Sequence, residues 1–148
     1  MSEPRIVVGI DGSPTSLAAL RAALEEARLR RAPLRVVMAW QLTWSEIAIE
    51  APVVVQKIVE HNARILEDAM ASIDHGHAAG VDVSSELVNG YPATELVAAA
   101  TGARLLVVGA RGTSGISGTL IGSVAQAAIH HAKCPVLVVP PPAHEALS

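Results

Sequence analysis

Five short apolar runs, separated by stretches of helical periodicity and by no tight hairpin, constrain this chain more than any other feature. The runs cover residues 6–10, 34–40, 81–88, 105–108 and 136–139 and are rich in Val, Leu and Ile. Short aliphatic, β-branched runs read as buried strands, and strands that alternate with helices need crossover connections. The order β-α-β-α-β-α-β-α-β therefore predicts an α/β fold: an open five-stranded parallel sheet with right-handed crossovers and helices on both faces. Hydrophobic residues make up 51% of the chain, yet aromatics are only 2% and Phe is absent. The core has to be built from Val, Leu, Ile and Ala, which suits a parallel sheet under Ala-rich helices. At 148 residues the chain is expected to form one domain, 1–148, with a frayed tail from about 141.

Taken in order, the first strand (6–10) ends in Asp11-Gly12-Ser13-Pro14. Ser13 is placed to cap a helix reaching about Arg31, and Pro14 suits its first turn. Leu17, Leu20, Leu24 and Ala27 share one face of that helix, while Arg21, Glu25 and Arg28 share another. After the second strand, residues 41–51 show no period and read as a lid or ordered loop. Trp40 and Trp44 either pack there or stack on a ring. Residues 52–75 read as a helix with one apolar stripe through Val55, Ile58, Val59, Ile65, Leu66, Ala69, Met70 and Ile73. Asn89-Gly90-Tyr91-Pro92 would suit a hairpin, but Ala93, Leu96, Val97 and Ala100 follow at helical spacing, so it reads as a strand-to-helix connection. A helix over 124–132 and the strand 136–139 complete the pattern, and Pro140-Pro141-Pro142 stops it.

The fourth strand runs into residues 109–123, which hold five glycines, with Thr113, Ser114, Ser117, Thr119 and Ser123 among them. Glycine tolerates positive φ and lets a ligand approach the main chain. Ser123 is expected to be the N-cap of the following helix, whose open amides and positive end would face the loop. Strand, glycine loop and helix N-terminus together form the physical recipe for holding phosphate. The first and fourth strands are the two with glycine-rich C-terminal turns. With these two side by side, in the order 3-2-1-4-5, the chain reverses direction between them. Open α/β sheets bind ligands in the crevice at such a switch point. Asp11 and the 109–123 loop would meet there from opposite ends of the sequence.

The loop is no GxxxxGK[ST] phosphate loop, since no Lys precedes Ser123, and its spacing is not that of the dinucleotide fingerprint. It reads G-x2-G-x9-G-[ST] through Gly109, Gly112, Gly122 and Ser123. With Val7-Val8-Gly9-Ile10-Asp11-Gly12-Ser13 near the start and His131-Ala132-Lys133-Cys134-Pro135-Val136-Leu137-Val138-Val139 near the end, the chain resembles the universal stress protein family over about residues 5–140. The resemblance implies a five-stranded adenine-nucleotide-binding fold, a homodimer, a role in stress response and, because the glycine motif is complete, the branch that binds ATP. By the same resemblance Asp11 sits at the ribose. Ala39 sits beside adenine through its backbone, although the family often has valine there. Gly109, Gly112, Gly122 and Ser123 surround the phosphates, and Arg111 is either a phosphate partner or a solvated loop charge. Mg²⁺ would neutralise the triphosphate, although no carboxylate pair for it is visible.

Other chemistry finds less support. A net charge of −3 without a basic cluster argues against nucleic acid as the main partner. The lone Cys134 excludes an internal disulfide and fits a reducing cytosol. No signal peptide and no membrane-length apolar stretch are seen, so the protein is expected to be cytoplasmic. His75, His77 and His130-His131 match no zinc spacing, and no Ser-His-Asp set can be assigned. The expectation is a nucleotide-binding regulatory module without dedicated catalysis. A slow ATPase, a cyclic AMP binder and an interaction module with a vestigial pocket are the alternatives. The last strand, apolar and uncharged over 136–139, is expected to lie at a sheet edge and to pair with a second copy.

Overall fold

Strand β1 (Ile6–Gly9) has both faces covered: the Ile6, Val7 and Val8 side chains are wholly buried. In the computed structural model, which describes residues 4–41, 52–112 and 121–142, eight further elements follow it. They are α1 (Pro14–Arg30), β2 (Leu34–Trp40), α2 (Pro52–Ala71), β3 (Val83–Asn89), α3 (Pro92–Ala99), β4 (Leu105–Gly109), α4 (Ser123–His131) and β5 (Val136–Val139). The sheet order is β3-β2-β1-β4-β5 and every neighbouring pair is parallel, as the alternation of strands and helices predicts. Ile6 stands opposite Leu34 on one side and Leu105 on the other, so β1 and β4 are adjacent and the chain reverses between them.

Side chains alternate across the sheet and feed two aliphatic layers. Ile6, Val8, Val36, Met38 and Val107 pack with Leu20 and Leu24 of α1 and with Leu66 and Ala69 of α2. Val7, Val37, Leu106 and Val108 pack with Leu96 of α3 and with Ala125 and Ala128 of α4. Two glycines let these layers close. A Cβ at Gly9 would collide with the Leu96 side chain, and one at Gly109 would lie 2.9 Å from Thr15 Cγ2.

Local chemistry sets the ends of the elements. Ser13 caps α1 by accepting a hydrogen bond from the Ser16 amide at 3.2 Å, with Pro14 in the first turn. Arg31 closes α1 in the left-handed region, at φ 53°. Several boundaries differ from the sequence reading. Strand β1 stops at Gly9, one residue before Ile10. Helix α2 stops at Ala71 and not near 75, because Ser72 Oγ turns back to the Ala69 carbonyl at 2.6 Å and Asp74 Oδ1 accepts from the Gly76 amide. Strand β3 begins at Val83 because the Val81 amide is spent on a turn to Ala78.

The last difference concerns Ser123, which is the first residue of α4 and not its cap. Gly122 holds the cap position (φ −76°, ψ 172°) with no side-chain capping bond. Its amide donates to the Ala110 carbonyl at 2.6 Å, which turns the chain into the helix one residue earlier.

The predicted apolar stripe of α2 is only partly used, since Leu66 and Ala69 alone are buried. Ile65 lies at the level of Gly12, where its Cγ2 would be 2.6 Å from a Cβ. The thirteen steps from Pro52 to Ile65 span about 20 Å at helical pitch, and residues of this half of the helix line the crevice at the strand ends. The predicted lid at 41–51 lies, Gln41 apart, outside the described residues. So do Thr113, Ser114, Ser117 and Thr119 of the glycine loop and most of the predicted frayed tail.

Candidate functional site

The C-terminal ends of the strands open into a crevice of about 960 Å³. Its floor is the gap between the turns that leave β1 and β4. The overhanging half of α2 forms one wall through Val54, Lys57, Ile58, His61, Asn62 and Ile65. Asp11, Ala39, Gly109, Arg111, Gly112, Gly122 and Ser123, singled out in the sequence across more than a hundred positions, all line this one space.

Asp11 and the glycine loop meet directly. A Cβ at Gly112 would lie 2.7 Å from Asp11 Oδ2, so residue 112 is free of a side chain where the carboxylate comes close. The other oxygen, Asp11 Oδ1, accepts from the Ser13 amide at 2.9 Å, and the Asp11 amide donates to Ser16 Oγ at 3.3 Å. This turn orients the carboxylate before any ligand arrives. The loop base is fixed at both ends. The Ala110 amide donates to the Val139 carbonyl at 2.8 Å, and the Ala110 carbonyl receives the Gly122 amide.

None of Gly109, Gly112 and Gly122 has positive φ; among the described glycines that conformation belongs to Gly12, Gly80 and Gly102. Space, not backbone conformation, is what the motif glycines provide. Gly122 has more of it than the others, since a Cβ there would sit 3.4 Å from the Ala110 carbonyl oxygen, an ordinary contact. Ser123 opens α4, so the first helical amides, which have no partner inside a helix, lie beside Gly112 and Arg111.

Charge in the crevice favours anions. Among the described lining residues Asp11 is the single carboxylate, against Lys57, Arg111 and His61. Lys57 and His61 were not legible as site residues. Their i, i+4 spacing on a stripe with Val54, Ile58 and Ile65 is the signal that would have found them. Tyr91 was read only as part of a turn, and it too lines the crevice.

Groups outside the crevice behave as structural residues. Burial pushes the Cys134 thiol up, outweighing the hydrogen bond to the Leu106 backbone, as suits a packed strand-entry residue. Asp74 is held below the usual carboxylate range by the Gly76 amide first and by His77 second. Among the described residues no cluster of three or more His, Cys, Asp or Glu side chains is placed to hold a metal, and no helix is long and apolar enough to cross a membrane.

A doubly wound parallel sheet with a glycine-lined, cation-bearing crevice at its switch point defines a class of ligand-binding α/β proteins. Comparison with known proteins narrows the class. The sequence pattern of the universal stress protein family matches residues 4–140. This chain belongs to that family. A universal stress protein of Mycobacterium tuberculosis is 34% identical over 139 residues, which is 90% of this chain and 46% of that protein. The chain spans about half the length of the curated relatives it matches. Among solved structures, a universal stress protein in complex with cAMP is 30% identical, with a TM-score of 0.63 over 96% of this chain and 100% of the other. The universal stress protein from Archaeoglobus fulgidus in complex with dAMP is 25% identical, with a TM-score of 0.57 over 94% and 99% of the two chains.

Proposed function

We propose that this chain is an adenine-nucleotide-binding regulatory module of the stress response, with ATP as its ligand. The observation that carries the proposal is the convergence of Asp11 with Gly112 in a crevice bounded by the open end of α4. The relatives solved with cAMP and dAMP support an adenine nucleotide as the ligand class. The space also fits, since a cavity of about 960 Å³ lies within the range that small-molecule ligands occupy. In this reading Asp11 accepts hydrogen bonds from the ribose hydroxyls, and the Ala39 backbone meets adenine. The amides around Gly109, Gly112, Gly122 and Ser123 hold the phosphates, with Arg111 as counter-charge. Mg²⁺ would be carried by phosphate and water, because Asp11 is the only carboxylate among the described lining residues.

The magnitudes suffice without a phosphate-loop lysine. Each charge-assisted hydrogen bond contributes roughly 1.5–3 kcal/mol, and a few of them with adenine burial reach the ~8 kcal/mol of a micromolar complex. Parallel calorimetric titrations with ATP, AMP and cyclic AMP test the reading. ATP is expected to bind tightest. Equal affinities for ATP and AMP would remove the triphosphate contacts, and tighter cyclic AMP would replace ATP as the ligand.

We also propose a cytoplasmic homodimer joined through β5. The two sheet edges differ in a way that supports it. Edge strand β3 carries exposed Ser84 and Ser85, and its Glu86 is ion-paired with Arg35. Edge strand β5, Val-Leu-Val-Val, carries no charge and is half-buried along its length. Charged and polar edges deter pairing, whereas apolar ones invite it. Light scattering decides the matter: a monomer mass at micromolar concentration overturns the dimer. If the mass is dimeric, Leu137→Lys and Val138→Lys probe the two faces separately, since Leu137 packs toward the α1–α2 layer and Val138 toward the α3–α4 layer.

A further inference from the structure

The chain contains three aromatic residues, Trp40, Trp44 and Tyr91, and among the described residues neither core layer includes one. Trp40 and Tyr91 both line the crevice. Among the described residues the two core layers hold no aromatic ring, and the two described rings stand at the crevice.

Tyr91 is the more telling of the two. It holds the N-cap of α3 at φ −69° and ψ 122°, followed by Pro92, and makes no side-chain capping bond. Ser13 stands in the same relation to α1, at φ −67° and ψ 154° before Pro14, and does cap its helix. The two helix starts share a backbone solution, and only one uses the side chain that stabilises it. Tyr91 moreover leaves 53% of its surface exposed. A position that gives up a cap and exposes an aromatic ring breaks two local rules without gain to the fold, the pattern expected of a functional residue.

The surrounding backbone is held firmly. The Gly90 amide donates to the Trp40 carbonyl at 2.8 Å, and the Glu95 amide donates to the Tyr91 carbonyl at 2.9 Å. The Glu95 side chain fills the place where a Cβ on Gly90 would fall, and Pro92 keeps Tyr91 extended. Trp40 ends β2 opposite Asn89. By strand alternation it shares the face of Met38, which packs in the α1–α2 layer, whereas Tyr91 opens α3 on the other face. Among the described residues neither ring touches another ring.

We propose that Trp40 and Tyr91 are the base-recognition element of the crevice, two stacking surfaces flanking the strand ends that take a planar heteroaromatic ring and favour a purine over a pyrimidine. The proposal rests on the nucleotide reading above and adds to it the residues that choose the base. A purine offers the larger π-face, and stacking requires no hydrogen-bond code.

The test uses the full chain with Trp44→Phe, so that Trp40 is the only tryptophan. It is titrated with ATP, adenosine, CTP and inorganic tripolyphosphate by calorimetry and fluorescence. ATP and adenosine are expected to quench Trp40 emission, tripolyphosphate to bind without quenching, and CTP to bind more weakly than ATP. Tyr91→Ser should weaken ATP roughly fivefold to a hundredfold, the span of one lost stack. The same change should raise Tm by about 2–4 °C, because it installs the missing cap. Trp40→Leu should weaken ATP in the same range. Unchanged ATP affinity in both variants overturns the stacking role while leaving the nucleotide site standing. A lowered Tm in Tyr91→Ser also overturns it, since the ring would then serve the fold. No binding of any nucleotide by the wild-type chain removes the nucleotide site itself, and the base element with it.

Discussion

Apart from α2, the crevice is bounded by two walls at the strand ends that are built on opposite principles. Where β1 and β4 end, the wall consists of what the chain leaves out, the side chains missing at Gly109, Gly112 and Gly122. Where β2 and β3 end, it consists of two of the chain's three aromatic side chains, Trp40 and Tyr91. The glycine wall is entangled with the fold at Gly109, where a Cβ would crowd Thr15 and nearby backbone, whereas at Gly112 a Cβ would meet only the carboxylate end of Asp11. The aromatic wall makes little demand on the interior. Gly122 belongs to the first wall yet behaves like the second, since a Cβ there meets only ordinary contacts. In the proposed reading, recognition of phosphate therefore leans on residues that also pack the fold, whereas recognition of the ring does not.

That contrast can be broken most forcefully at Gly122. Gly122→Val should abolish ATP binding in calorimetry, a loss of roughly a hundredfold or more from two or more phosphate contacts, while the melting transition stays cooperative. Binding at wild-type strength would show that phosphate does not sit there. Asp11→Ala comes next, with an expected loss of about ten- to a hundredfold for a charged acceptor. Because Asp11 also accepts from the Ser13 amide, Asp11→Asn is the necessary companion. If the alanine variant loses affinity and the asparagine variant keeps it, the turn and not the charge is what the ligand uses.

Salt separates the walls more gently. Raising ionic strength screens exposed charges, so ATP affinity should fall severalfold between dilute and molar NaCl while adenosine affinity holds. Parallel slopes for the two ligands would mean that the glycine wall does not hold phosphate.

The smallest effect is a control outside both walls. Asp74 is held below the usual carboxylate range, so its contribution to stability is present above its unfolded pKa and is lost as pH falls through the lowered folded value. His77→Ala should raise the Asp74 titration, as read by NMR, and leave ATP affinity untouched. A change in ATP affinity would tie this turn to the crevice.

Sequence patterning reached the order of the strands because β1 and β4 announce themselves through their glycine turns, and Asp11 was legible for the same reason. Ser123 was misplaced by one residue because glycine and serine are both good N-caps, and a tertiary bond from Gly122 to Ala110 made the choice. The stripe on α2 promised burial that only Leu66 and Ala69 achieve, since periodicity cannot tell how far a helix overshoots its sheet. Lys57 and His61 stand beside Ile58 and Ile65 on that helix, and reading its apolar stripe alone passes over them. Tyr91 was masked by its neighbours, as Asn89-Gly90 and Pro92 drew the reading toward turn chemistry.

The contact between Gly109 and Thr15 reaches beyond the crevice. With no room for a Cβ between them, the end of β4 packs directly against the opening turn of α1. Whatever stiffens the glycine loop stiffens that turn, whose Leu17 amide is bonded to the Ser13 carbonyl at 3.0 Å. Occupancy would then be broadcast along α1 as slower amide hydrogen exchange without any displacement of the helix, a signal carried by rigidity and not by shape.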